Sequence, residues 1–198
     1  MTKFVAWVAL YPIVTHIGIQ TSEIYLPIVY LTTLILFVIY SLKLKSWIVK
    51  GFLITAVISA VFLIMFLDKG HVLIQLVPVL ILSTLIYIFF KSLLFSNTPI
   101  ITQFAICVDE KPLNSDKQKY TRGVTVVWLL GFIYMLFQNI IASMWFSVEA
   151  WSWISNAGNY IIITLIMFSE FLYRNMRFKN DKISFKTFMI RLSHCRLR

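Results

Sequence analysis

Charge is scarce in this sequence. Only 13% of its 198 residues are charged, about half the share usual in a soluble domain. Acidic residues are scarcer still, eight against 18 lysines and arginines. There are three histidines and two cysteines, and neither Cys107 nor Cys195 stands at a metal-ligand spacing. No phosphate-cradling glycine loop, zinc motif or nucleophile elbow is present, and no apolar run carries paired aspartates. These absences exclude the readily recognised enzyme classes and imply no cofactor and no metal. No small-residue cleavage site follows the first apolar run, so that run reads as a retained helix rather than a signal peptide.

Apolar side chains fill the space that charge leaves. They make up 60% of the chain, and the mean hydropathy is +0.84. They arrive in six runs: Phe4 to Gln20, Ile24 to Leu42, Trp47 to Leu67, His71 to Phe90, Val124 to Phe146 and Trp153 to Tyr173. About 20 apolar residues cross the hydrocarbon of a bilayer as a helix. In lipid each segment must satisfy its own backbone, which helices do. The strict alternation of a membrane β-barrel is missing. The expected fold is all-α, a polytopic helical membrane protein of about six transmembrane helices.

The net charge of +10 raises the question of nucleic acid. The placement of the charges answers it. With the N-terminus in the cytoplasm and six alternating helices, every lysine and arginine except Lys69 falls on the inner side. That bias is the positive-inside rule, and it predicts both termini in the cytoplasm of a multi-pass plasma-membrane protein. The basic balance then serves topology and contact with anionic lipid headgroups. Membrane lipids are the expected partners, and nucleic acid is excluded.

The pattern reads as a single membrane domain over residues 1–198, with a cytoplasmic insert at 91–123 and a basic cytoplasmic tail at 174–198. Short outer turns at Thr21 to Glu23, Asp68 to Gly70 and Ser147 to Ser152 predict three antiparallel helix hairpins. Gly51, Thr55 and Ser59 recur at four-residue spacing, a seam on which another helix packs closely. In the insert, Thr98 before Pro99 marks a helix start. The helix that follows is amphipathic, with Thr102, Gln103 and Asp109 opposite its apolar face, and suits the inner leaflet. Ser115 and Gln118 have the spacing of a capping box for the fifth helix. Phe185, Phe188, Met189 and Leu192 repeat helical spacing in the tail among Lys182, Lys186 and Arg191. That helix suits an anionic membrane surface, or alternatively a cytoplasmic partner. Both cysteines fall on the cytoplasmic side and are expected as free thiols, because disulfides are rare there.

Ionisable groups within membrane helices are costly and mark candidate sites. Glu170 lies about one turn from the inner end of the sixth run, and Arg174 stands four residues on. One reading is an interfacial ion pair in the favourable Glu-to-Arg order. The other is a headgroup-level site of Arg122, Glu170 and Arg174, since counting back from the shared turn puts Arg122 level with Arg174. Guanidiniums grip phosphate or carboxylate through bidentate hydrogen bonds. A second polar set falls in the outer half: His16, His71, Gln75, Asn139, Ser143, Asn156 and Asn159. Interhelical hydrogen bonding accounts for it, or alternatively a small polar cavity in which the imidazoles carry protons.

Four stretches carry a further signal: "ALYPIVTHIG" in the first helix, "TPIITQFAICVDEKPL" in the insert, "YTRGVTVVW" and "NAGNYIIITLIMFSEFLYR". Together they resemble a family of small polytopic bacterial inner-membrane proteins associated with aryl-polyene and fatty-acid-like biosynthetic clusters. In that pattern a second basic residue follows Tyr-Thr-Arg, where this chain has Gly123. The resemblance implies an inner-membrane accessory protein that assists or scaffolds acyl-lipid or polyene biosynthesis. It also implies cytoplasmic acyl carrier protein or biosynthetic enzymes as partners, and it supplies no catalytic residues. The residues alone leave two alternatives, a small transporter using the outer polar cluster and a membrane-bound acyl or glycosyl transferase centred on Glu170.

Overall fold

The computed structural model describes residues 2–42, 46–96, 98–109, 113–178 and 184–195, and among these it is helical without a strand. The elements are α1 (Thr2–Gln20), α2 (Tyr25–Ser41), α3 (Trp47–Phe66), α4 (Gly70–Phe95), α5 (Ile100–Asp109) and α6 (Ser115–Trp145). Then come α7 (Val148–Ser152), a π-helical turn (Trp153–Gly158), α8 (Asn159–Arg177) and α9 (Phe185–His194). Each of the six apolar runs is helical. Among the described residues three helices are long and apolar enough to cross a membrane: α3, α4 and α6. Among the rest, α2 has 17 residues, or about 26 Å of helix, short of a 30 Å core. α1 runs unbroken through Pro12, and the sixth run is broken by the π turn.

α3 shows most plainly what surrounds these helices. None of its residues is buried, and Trp47, Phe52, Phe62 and Phe66 are 81, 72, 72 and 77% exposed. Apolar residues all round a helix, left bare over its length, suit hydrocarbon and not water. The Gly51–Thr55–Ser59 seam is open here. A Cβ on Gly51 would meet nothing within 4 Å, and the Thr55 hydroxyl donates to its own helix at Gly51 O.

The chain gathers into two compact units where the sequence reads as one domain. The first comprises residues 1–80 and 138–159. Its core is Ile19, Ile28, Ile74, Ala142 and Trp151, with Met65 and Ile154 packed against them. α1 and α2 meet closely at Gly18, where an added Cβ would stand 2.6 Å from Pro27 Cδ. The turns after α1 and α3 have the same build. Glu23 N donates to Gly18 O and Ser22 N to Ile19 O, and likewise Lys69 N to Ile64 O and Asp68 N to Met65 O. These are paired Schellman closures, with Ser22 and Asp68 at φ 61° and 54° in the left-handed position. The third expected turn is shorter than read, since Val148–Ser152 is already helix, capped by Ser147 Oγ on Ala150 N.

The second unit comprises residues 81–137 and 160–198. Its core is Leu82, Phe89, Leu93, Leu129, Phe132 and Met135. The insert helix α5 does not lie apart from it, for Ile100 and Ile101 pack on this core. Thr102, expected on the polar face, is buried and its hydroxyl lies 2.8 Å from that of Thr121. The N-cap of α6 is Asn114 and not Ser115: Asn114 Oδ1 accepts from Lys117 N at 2.9 Å, and Gln118 Nε2 reaches back to Leu113 O. The free-thiol expectation is overturned. Cys107 and Cys195 form a disulfide across 88 residues of sequence, because α9 returns onto α5 and brings their Cα atoms to 5.9 Å. Lys182 and the side chains of Met189 and Leu192 lie outside the described residues.

Candidate functional site

The second unit holds an apolar cavity of about 380 Å³. α4 contributes Leu85 and Phe89 to its wall, α5 contributes Ile101, Phe104, Ala105 and Val108, and α6 contributes Thr121, Val124, Trp128 and Phe132. α8 adds Met167, Glu170 and Arg174, and α9 adds Phe188. The volume is within the range of about 300–1,000 Å³ typical of small-molecule sites. The composition is that of such sites too, a greasy wall with a few polar groups.

Those polar groups are arranged unequally. The Tyr120 hydroxyl donates a hydrogen bond to Glu170 Oε1 at 3.3 Å. Arg174 does not pair with Glu170; among the described residues no ion pair joins them. Its guanidinium stands over the rings of Phe188 at 4.5 Å and Phe171 at 6.0 Å. The Nη2 nitrogen is buried with no hydrogen-bond partner. A buried N–H donor without an acceptor costs about 1–3 kcal/mol, more when charged. The arrangement leaves a cationic donor waiting for an acceptor beside an apolar space.

An open groove of about 550 Å³ borders the same residues. Lys119, Tyr120, Ser169, Glu170, Tyr173 and Arg177 line it. Glu170 and Val124 belong to both the groove and the cavity wall. Tyr120 stacks on Tyr173 with centroids 5.8 Å apart, and the Arg177 guanidinium lies 5.7 Å from the Tyr120 ring. Gly123 lines the groove, and the place of its missing Cβ is open.

Arg122 does not join this site. Its Nη2 donates to Leu93 O at 3.1 Å, satisfying a carbonyl in the last turn of α4. The reason is helical phase: Tyr120 and Arg122 are two residues apart, about 200° around α6. Counting depth along two helices leaves the face open, and Arg122 bonds to α4 instead. The sequence reading also missed Tyr120, Lys119 and Arg177, although the i, i+4 spacing of Tyr173 and Arg177 was visible.

The other polar set lies in the first unit and is only partly assembled. His16 Nδ1 is 3.0 Å from Ser152 Oγ, which also accepts from Asn156 Nδ2 at 3.1 Å. The His16 ring meets Trp153 edge-on, centroids 4.3 Å apart. Asn159 Nδ2 donates to Ser155 O at 2.6 Å, and Gln138 Nε2 to Ile154 O at 3.2 Å. Asn139 is buried, whereas Ser143 is exposed and bonds within its own helix to Ile140 O. His71 and Gln75 are half-buried on α4. Around the π turn these side chains bond in part to backbone and to one another, while Ser155 Oγ, Asn156 Oδ1 and Asn159 Oδ1 are buried without a hydrogen-bond partner. The π turn itself was not foreseen, and π turns concentrate where polar groups gather for function.

No known protein family, no curated protein and no solved structure matches this chain.

Proposed function

We propose that this is a multi-pass inner-membrane accessory protein that binds an acyl amphiphile for acyl-lipid or polyene biosynthesis. The six apolar helical runs and the basic bias to one side support six crossings with both termini cytoplasmic. The observation that carries the ligand class is Arg174. Its buried Nη2 has no acceptor, and the residue lines a largely apolar cavity whose other polar lining residues are Thr121 and Glu170. An acyl chain fills the apolar volume, and its carboxylate, ester or phosphate head supplies the missing acceptor. Lys119 and Arg177 in the adjoining groove favour an anionic head over a cationic one. Glu170, held by Tyr120, lines the same wall and so limits where the head sits.

Native mass spectrometry of the gently solubilised protein tests this. The wild type should carry a single class of acyl species, and Arg174→Ala should lose it while Arg122→Ala keeps it. A bare wild type, or equal loading of all three proteins, would sink the proposal. The alternative of a small transporter draws on the His16–Ser152–Asn156 chain beside the π turn. It requires His16→Ala to abolish function while Arg174→Ala is tolerated.

A further inference from the structure

We propose that the Cys107–Cys195 disulfide is a redox-controlled clasp that holds α9 closed over the acyl cavity. The inference rests on the cavity reading above and adds its regulation. α9 contributes Phe188 to the cavity wall, where the ring also covers the Arg174 guanidinium. Among the described residues four ties hold α9 to α5 and α8, the first being the Phe185 ring set edge-on to Phe171 at 5.1 Å. Phe188 packs with Val108 and Phe171, Arg191 Nη1 donates to Val108 O at 2.8 Å, and Cys195, just past α9, is bonded to Cys107 on α5. α9 has ten residues, too few to be a stable helix on its own. Its place therefore depends on these ties, and one of the four is a covalent bond that can be broken and remade.

The location makes the bond reversible. In the proposed topology both cysteines face the cytoplasm, where disulfides are transient and redox-sensing. Both are half-buried rather than sealed in the core. A dithiol reductant of the thioredoxin class supplies the electrons. Its thiolate attacks one sulfur and releases the other protein cysteine as a thiolate. Its second thiol then displaces the first cysteine. The protein gains two electrons and two protons, leaving two thiols, while the reductant becomes a disulfide. Reduced, α9 keeps the non-covalent contacts of Phe185, Phe188 and Arg191 among the described residues. The cavity wall opens on the side of Arg174, and the bound amphiphile leaves.

The test uses the full-length protein in lipid nanodiscs, with a fluorophore-bearing long-chain fatty acid as the probe. Its release rate is measured from oxidised protein, from protein treated with a phosphine reductant, and from a Cys107→Ser/Cys195→Ser variant. Hydrogen exchange at residues 185–194 is followed in the same samples. Release should be about tenfold faster after reduction, since affinity changes at one site fall mostly on the off-rate. The double variant should release fast with or without reductant. Equal release in the oxidised and reduced states overturns the clasp and leaves the cavity reading intact. No probe binding in any state overturns the cavity reading; equal exchange of α9 in the two states then overturns the clasp as well. Thiol trapping in intact cells closes the question of reversibility. A disulfide that a membrane-permeant dithiol cannot reduce overturns the switch.

Discussion

The guanidinium of Arg174 lies 4.5 Å from the centre of the Phe188 ring, joining the end of α8 to the middle of α9. A ring face attracts a cation but accepts no proper hydrogen bond. Arg174 is thus held in place and left unsatisfied at Nη2. That combination separates it from an ordinary surface arginine, and it follows that Arg174→Lys should not substitute for it. Lysine keeps the charge but loses the planar fork. Retention of the acyl species by Arg174→Lys should fall by about tenfold or more, given about 1.5–3 kcal/mol for a charge-assisted bond. Quantitative native mass spectrometry reads the difference.

Phe188→Ala should destabilise the second unit by roughly 3 kcal/mol, the range for a buried phenylalanine truncated to alanine. Phe188 is buried with Val108 and Phe171, and its loss also uncovers the guanidinium. Phe188→Leu should retain most of the stability. Thermal unfolding of the two variants in detergent, each against wild type, checks both statements.

Arg122→Ala removes the bond to Leu93 O and nothing in the cavity wall. A charge-assisted hydrogen bond contributes about 1.5–3 kcal/mol, less where water competes. The expected result is a modest drop in melting temperature with acyl loading unchanged. Loss of loading at unchanged stability would return Arg122 to the binding site.

The caps supply a sharper local test. Asn114→Ala should cost about 1 kcal/mol, the usual cost of removing an N-cap, because Asn114 Oδ1 holds Lys117 N. Ser115→Ala should cost a few tenths at most. Equal effects of the two changes on hydrogen exchange in the first turn of α6 would restore Ser115 as the cap.

At the first hairpin, Gly18→Ala places a methyl group 2.6 Å from Pro27 Cδ and 3.0 Å from the backbone oxygen of Glu23. Overpacking of this kind costs about 1–3 kcal/mol. Ser22→Gly works the other way. Ser22 sits at φ 61°, a conformation that costs a side-chain-bearing residue about 1–2 kcal/mol. Glycine should leave the protein as stable or slightly more so, since its larger unfolded entropy offsets part of the relief. Melting temperatures of the two variants should move in opposite directions or differ by several degrees.

The helices were legible because apolar runs of bilayer length leave few other folds. The six runs and the helices end within a few residues of one another, apart from α4 and α6, which run on into the insert. Glu170 and Arg174 were legible as ionisable groups near the end of an apolar helix, and both line the cavity. Arg122 was misplaced because sequence distance fixes depth along a helix and leaves rotation open. The Cys107–Cys195 bond was invisible for a related reason: only the return of α9 onto α5 brings them together. Asn114 was overlooked because Ser115 and Gln118 mimic a capping box one residue later. No periodicity announces the π turn, which adds one residue per turn without altering composition.

The most direct test of the acyl reading is photocross-linking with a long-chain fatty acid bearing a diazirine near its tail, followed by peptide mapping. The account expects labels on Phe89, Phe104, Trp128 or Phe132, competed away by unlabelled fatty acid and lost in Arg174→Ala. Labels confined to lipid-facing residues such as Phe52 and Phe62, indifferent to competition and to Arg174, would contradict it.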